Sequence, residues 1–307
     1  MKKQTFGIEI ETTGLNRRQA AQAIAEHFGT EARYVGDHLD NWVVPMPDGR
    51  HWTIERDSSV TDPASELVSP VCRWEDIEMV QEVVRAVRAA GARADRSCGI
   101  HVHVGLGEHT PQTLRNLVNI VNAKEDLFTL GLGITDYRRS RWCRPVEPEF
   151  LNRLNAEKPT TFDAFAQIWY DECNTSYPGH HLDSYEIARA KATHYHTSRY
   201  HLLNLHAVFS TERPCPTIEF RAFNGTMHAG EIKSYIQLCL AVSKKALESR
   251  SASWKRPETD NPAYAFRCWL LQLGLIGEEF KTARLHLLKN LPGNAAWRHG
   301  AATTRRS

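Results

Sequence analysis

None of the seven cysteines has a partner at C-x-x-C spacing: Cys72, Cys98, Cys143, Cys173, Cys215, Cys239 and Cys268 are scattered and odd in number. That pattern argues against a disulfide framework and against a cysteine-ligated structural zinc site. No apolar run approaches the roughly 18 residues a membrane-spanning helix needs. The stretch "MKKQTFGIEIET" meets a carboxylate at Glu9 and lacks a signal-peptide core, so the expected compartment is the reducing cytoplasm. Net charge is also missing: +2 over 307 residues gives no support to a general nucleic-acid role. No internal repeat and no low-complexity block occur. What is present is an ordinary globular composition, 41% hydrophobic and 24% charged, in a chain long enough to bury a core without cross-links.

Hydrophobic periodicity divides the chain. Strands are expected at Lys3–Glu11, Arg33–Pro47, Trp52–Asp57, Ser65–Ser69, Ile100–Val104, Tyr200–Phe209 and Thr217–Phe223, the last two paired through "STERPCP". Helices are expected at Asn16–Phe28, Trp74–Ala90, Pro111–Leu130, Glu231–Glu248, Ala263–Leu275 and Glu278–Leu288. Residues 135–197 read as a loop-rich insertion with one helix at Phe162–Asp171, and the tail "RHGAATTRRS" reads as disordered. Interspersed strands and helices with antiparallel neighbours give an α+β sheet covered by helices on one face.

Three strands share a two-faced design. Residues two apart in a strand lie on one face. In "FGIEIE", Phe6, Ile8 and Ile10 oppose Glu9 and Glu11; in "IHVHV", Ile100, Val102 and Val104 oppose His101 and His103; in "TIEFRAF", Ile218, Phe220 and Ala222 oppose Glu219 and Arg221. "SELVSP" adds Glu66. A merely solvated face would mix Lys, Thr, Glu and Ser, whereas these faces hold only Glu, His and one Arg. Acids so close repel unless a cation lies between them. Several Glu with one or two His suit Mg²⁺ or Mn²⁺, and an Arg beside them suits phosphate.

The ordered series "FGIEIET", "WTIERDSSV…SELVSP", "CGIHVHVG", "RYHLLNL" and "TIEFRAFNGT", within Lys3 to Ile236, resembles the amidoligase family, related to glutamine synthetase and glutamate–cysteine ligase. The resemblance implies a curled antiparallel half-barrel with helices on its convex face, and a concave face holding ATP and two or three divalent ions. It implies metal ligation by Glu9, Glu11, Glu66, His101 and Glu219, and catalysis by Glu219 and Arg221, the arginine contacting the transferred phosphoryl group. His103, Asp57, Asn204 and Asn224 fall at motif positions expected to meet ATP or substrate, and Arg199 is a candidate nucleotide contact. The implied reaction joins a carboxylate acceptor to an amine donor (amino acid, peptide, polyamine or modified polymer) through an acyl phosphate. The expected domains are a catalytic unit over 1–250, with the 135–197 insertion, and a helical extension over 251–307.

Two other classes compete. H-x-H followed by Glu108 resembles a cupin, although the glycine expected after that acid is replaced by Arg115; a nucleotide- or peptide-binding member without turnover is the other. Cys98 reads as a small buried side chain. His194 and His196 read as loop or substrate contacts, and Trp52 and Trp74 as packing residues. Arg138, Arg139 and Arg141 read as a solvated charge run, with phosphate or an anionic substrate as the alternative.

Overall fold

The computed structural model describes residues 1–36, 40–173, 179–212 and 215–298. Eight strands, β1 (Phe6–Thr13), β2 (Arg33–Tyr34), β3 (Trp42–Pro45), β4 (His51–Glu55), β5 (Ala64–Val68), β6 (Gly99–Gly105), β7 (Leu203–Asn204) and β8 (Thr217–Asn224), form one curled, open sheet. Its order is β2-β3-β4-β5-β1-β6-β8-β7, with every pairing antiparallel. The helices are α1 (Arg17–Phe28), α2 (Ile77–Ala89), α3 (Pro111–Gly131), α4 (Asp136–Arg141), α5 (Pro148–Glu157), α6 (Phe162–Cys173), α7 (Ser184–Lys191), α8 (His206–Phe209), α9 (Ala229–Glu248), α10 (Pro262–Gln272) and α11 (Lys281–Leu288). Among the described residues no helix is long and apolar enough to cross a membrane.

The apolar face of each strand is buried: Phe6, Ile8 and Ile10, Trp52 and Ile54, Leu67, Ile100, Val102 and Val104, Ile218 and Phe220. Helices α1, α2 and α9 cover it with Ala20 and Ile24, Val80, Val84 and Val87, and Ile232, Ile236 and Leu240. Each buried Val, Leu, Ile or Phe among them contributes about 1.5–3 kcal/mol. This one-sided core leaves the opposite face able to carry charge. Helix α1 starts on a capping box, Asn16 with Gln19, and stops at Gly29 in the left-handed region, φ 66°. Trp52 belongs to the core, and Trp74 packs on Phe280.

Three expectations need correction. Arg33–Pro47 is not one strand: β2 and β3 are separate and pair antiparallel with each other, Arg33 opposite Val43 and Tyr34 opposite Trp42. Residues 135–197 are not loop-rich, since α4, α5, α6 and α7 fill most of the stretch. Their start signals are local: Thr135 caps α4, Pro148 opens α5, and Asp183 with Glu186 forms a capping box on α7. Tyr200–Phe209 is not a strand. The side-chain Oδ1 of Asn204 accepts the His206 N–H at 2.8 Å, which ends β7 after two residues and turns the chain into α8. The expected tail, from 299 onward, and residues 213–214 of the β7–β8 connection lie outside the described residues.

Helix α3 carries a stripe of amides that holds the chain leaving α9. Gln112, Asn116, Asn119 and Asn122 donate from their side chains to the backbone carbonyls of Arg250, Ser249, Ala252 and Trp254, at 2.9, 2.7, 3.0 and 2.8 Å. Beyond it, α10 packs on α3 and α11 on α9, and Asn290 donates to the Gly131 carbonyl at 3.1 Å.

Two buried histidines make stability pH-dependent. His109 lies between the Thr113 and Ser243 hydroxyls, and His201 meets the Pro145 carbonyl. Burial pushes both imidazoles down to about 4. The unfolded chain then takes up protons near pH 6.5 and the native state only near 4, so stability falls as pH falls through that window. We expect a loss of roughly 2 kcal/mol per group by pH 5. Urea midpoints at pH 7.5 and 5 check this, and His109→Gln should flatten part of the slope.

Candidate metal and phosphoryl-transfer site

Antiparallel register turns the alternation of each strand into rows across the sheet. Glu9 on β1 stands opposite His101 on β6, and Glu11 stands opposite Glu66 on β5. His103 faces Glu219 on β8, and Glu219 faces Asn204 on β7. Directly opposed side chains start about 5 Å apart, so residues more than 200 positions apart in sequence meet. Between Ile100 and Val102 the β6–β8 pairing slips, and Phe223 rather than Ala222 opposes Ile100. Glu219 and Arg221 share the basin face by alternation, and the extra residue on β8 returns Phe223 to the core.

His101 lies at the centre. Its Nδ1–H donates to Glu9 Oε2 at 2.9 Å, and the same nitrogen lies 3.7 Å from Glu219 Oε1. Its Nε2 lies 3.7 Å from Glu11 Oε1. His103 Nε2 lies 3.0 Å from Glu9 Oε1. Arg221 donates to Glu219 Oε1, and Asn204 Nδ2 donates to Glu219 Oε2 at 2.6 Å. The backbone N–H of Gly99 donates to Glu11 Oε2. Two sets of ligand atoms fall within 4.8 Å of one another: Glu9, His101 and Glu219; and Glu11, Glu66 and His101.

Burial, hydrogen bonds and charge together set the acidities. Burial would raise the Glu9 carboxyl, but His103 and His101 outweigh it and hold it well below the ordinary range. Burial likewise opposes ionisation of Glu219, and Arg221, His103 and His101 more than reverse that. Glu66 goes the other way: burial, then repulsion from Glu9, Glu11, Asp57 and Glu55, pushes it well up. Four carboxyl groups crowd together here, one of them pushed toward its neutral form, and a divalent cation among them would relieve the repulsion that acts on Glu66. Oxygen-rich donors with one imidazole fit Mg²⁺ or Mn²⁺. Arg138 Nε and Arg221 Nε are buried without a hydrogen-bond partner among the described residues, which fits a site that receives an anion.

Glu9, Glu11, Glu66, His101, His103, Asn204, Glu219 and Arg221 therefore converge. Asp57 stands just beyond β4, its carboxylate accepting the Ser59 N–H at 2.6 Å while its charge acts on Glu66. Asn224 fastens the turn into α4, donating to the Gly133 carbonyl at 2.7 Å. Arg199 lies over the rings of Tyr195 and Tyr200, 4.8 and 6.0 Å away. Cys98 is buried, and burial raises its thiol to about 11, as expected of a packing residue. His196 packs on Tyr170 and His206, and Glu108 is exposed after β6.

Arg138 is a correction. It is only 3% exposed and belongs to the basin, where its Nη2 donates to His101 Nε2 at 3.2 Å. A run of three arginines hides the one that turns inward; the readable signal is Gly99, beside the H-x-H, which leaves room for it. Glu55, opposite Glu66, also escaped the sequence reading. On the outer side of α4, Arg139, Arg144, Arg256, Trp254, Asp136 and Glu147 line a cleft of about 770 Å³.

A family model described as "Putative amidoligase enzyme" matches residues 2–243 of the chain. No curated protein matches it.

Proposed function

The chain belongs to the amidoligase family, and from that premise we propose that it is an ATP-dependent carboxylate–amine ligase working through an acyl phosphate. The observation that carries this reading is the meeting of Glu9, Glu11, Glu66, His101, Glu219 and Arg221 in one basin. A carboxylate is a poor electrophile; transfer of the γ-phosphoryl group gives it a good leaving group, and amine attack then yields an amide, ADP and phosphate. The difficulty is the accumulation of negative charge when ATP meets an acceptor carboxylate.

Divalent ions, two or three in number and held by Glu9, Glu11, Glu66, His101 and Glu219, would supply neutralisation of the phosphate oxygens. Asn204 fixes Glu219, and Glu219 holds the guanidinium of Arg221, whose remaining donors are available to the transferred phosphoryl group. His101 is oriented by Glu9 on one side, as a ligand histidine needs. Arg139, Arg144 and Arg256 give the cleft beside α4 the donors to receive an anionic acceptor, and Asp136 and Glu147 give it carboxylates suited to an amine.

The test supplies purified protein with ATP, Mg²⁺ and pools of carboxylates and amines, and follows ADP and new amide masses. ADP and amide should appear together, and only when both acceptor and amine are present. Mg·ATP binding without ADP release across a broad panel would favour a nucleotide-binding protein without turnover.

A further inference from the structure

His101 is a neutral imidazole in this network: its Nδ1–H goes to Glu9, which leaves its single lone pair on Nε2. Nε2 is also the ring nitrogen beside Glu11, so it is the atom that His101 offers to the Glu11–Glu66 group. Arg138 Nη2 donates to that same lone pair. A lone pair that accepts from a guanidinium is not available to a metal ion.

We propose that the Arg138 guanidinium and a divalent cation are alternative occupants of the Glu11–Glu66–His101 group, so that an ion enters there only as Arg138 withdraws. This rests on the reading of that group as an ion site. The arginine comes from α4, outside the strands that carry the ligands, and is held loosely for a buried charge. Its other bonds are to the Arg221 carbonyl at 3.2 Å and the Cys98 carbonyl at 3.5 Å; no ion pair to it occurs among the described residues, and its Nε has no hydrogen-bond partner among them. A guanidinium fixed for structure is ordinarily matched to a carboxylate fork.

Gly99 builds the seat. Its backbone N–H holds Glu11, while a Cβ at this position would fall on the Arg138 guanidinium. The residue thus positions a ligand of the ion and leaves space for the ion's competitor. Arg138 covers the charge of Glu11 and spares His101 Nε2 from standing unpaired. Its neighbour Arg139 lines the cleft, so withdrawal of Arg138 would move the helix that forms the cleft wall.

Mn²⁺ titration of chelator-stripped protein, read by calorimetry and by the spin-resonance signal of free Mn²⁺, tests this. Arg138→Gln removes the competitor, and Gly99→Ala displaces it while keeping the N–H to Glu11. Both should tighten Mn²⁺ binding about tenfold or more, because an occupied site lowers apparent affinity by the fraction competent to bind. Arg139→Gln, which removes an equal charge on the cleft side, should change it less than about twofold. Unchanged or weaker binding in Arg138→Gln and Gly99→Ala, with Mn²⁺ still bound by the unmodified protein, overturns the exchange alone. Loss of the fold in both variants makes Arg138 a structural cation and also overturns it. Absence of Mn²⁺ binding in every protein overturns the ion reading together with the exchange.

Discussion

Replacing Glu219 with glutamine is expected to bring ATP-dependent ADP release to background, a loss of about a thousandfold or more. Through its carboxylate, Glu219 joins the metal-ligand group to the basin's arginine. It holds Arg221 and Asn204, faces His103, and approaches His101. Glutamine keeps the length and one acceptor oxygen, but loses the charge that anchors Arg221 and turns a donor toward it. The fold should persist, because relief of repulsion with Glu9 offsets part of the lost pairing. Glu9→Gln should behave alike through His101 and His103. Circular dichroism and coupled ADP assays on both variants check this; full turnover in both would remove the two residues from the chemistry.

Chelation of divalent ions should have an equally large effect on turnover and a separate effect on stability. Two like charges 4 Å apart repel by about 4 kcal/mol at an effective dielectric of 20, and Glu9 with Glu219, like Glu11 with Glu66, brings carboxylate oxygens within 4.8 Å of each other. Glu66 shows part of the consequence in its raised pKa: burial, then the carboxylates on both flanking strands, drive it toward its neutral form. A cation bound at a hundred times its dissociation constant stabilises the native state by about 2.7 kcal/mol. EDTA should therefore abolish ADP release, and Mg²⁺ or Mn²⁺ should raise the unfolding midpoint of the stripped protein by several degrees. Identical midpoints with and without ions, or undiminished turnover in EDTA, would contradict the role given to the carboxylates.

The basin was legible because strand alternation needs only local sequence. Glu9 and Glu11, His101 and His103, and Glu219 and Arg221 each announce a polar face two residues at a time, and helices must cover the other face. What alternation cannot give is register. The pairing of His103 with Glu219, the slip beside His101 and the place of β7 at the sheet edge are set by contacts between distant segments. Short strands escaped for a similar reason: the side chain of Asn204 breaks what hydrophobicity alone would extend. Arg138 escaped because the direction of one arginine in a run of three depends on the fold around α4.

The amide stripe on α3 has a bearing on how such a protein diversifies. Gln112, Asn116, Asn119 and Asn122 grip residues 249–254 by main-chain oxygens alone, which every amino acid possesses. The exposed side chains along that strap, Ser251 and Ser253, can be exchanged without loosening those bonds, and the strap carries the chain on through Trp254, which also packs on the core, to Arg256 at the same cleft. Selectivity for whatever occupies the cleft can thus drift, or be redesigned, while the carboxylates on the sheet stay untouched.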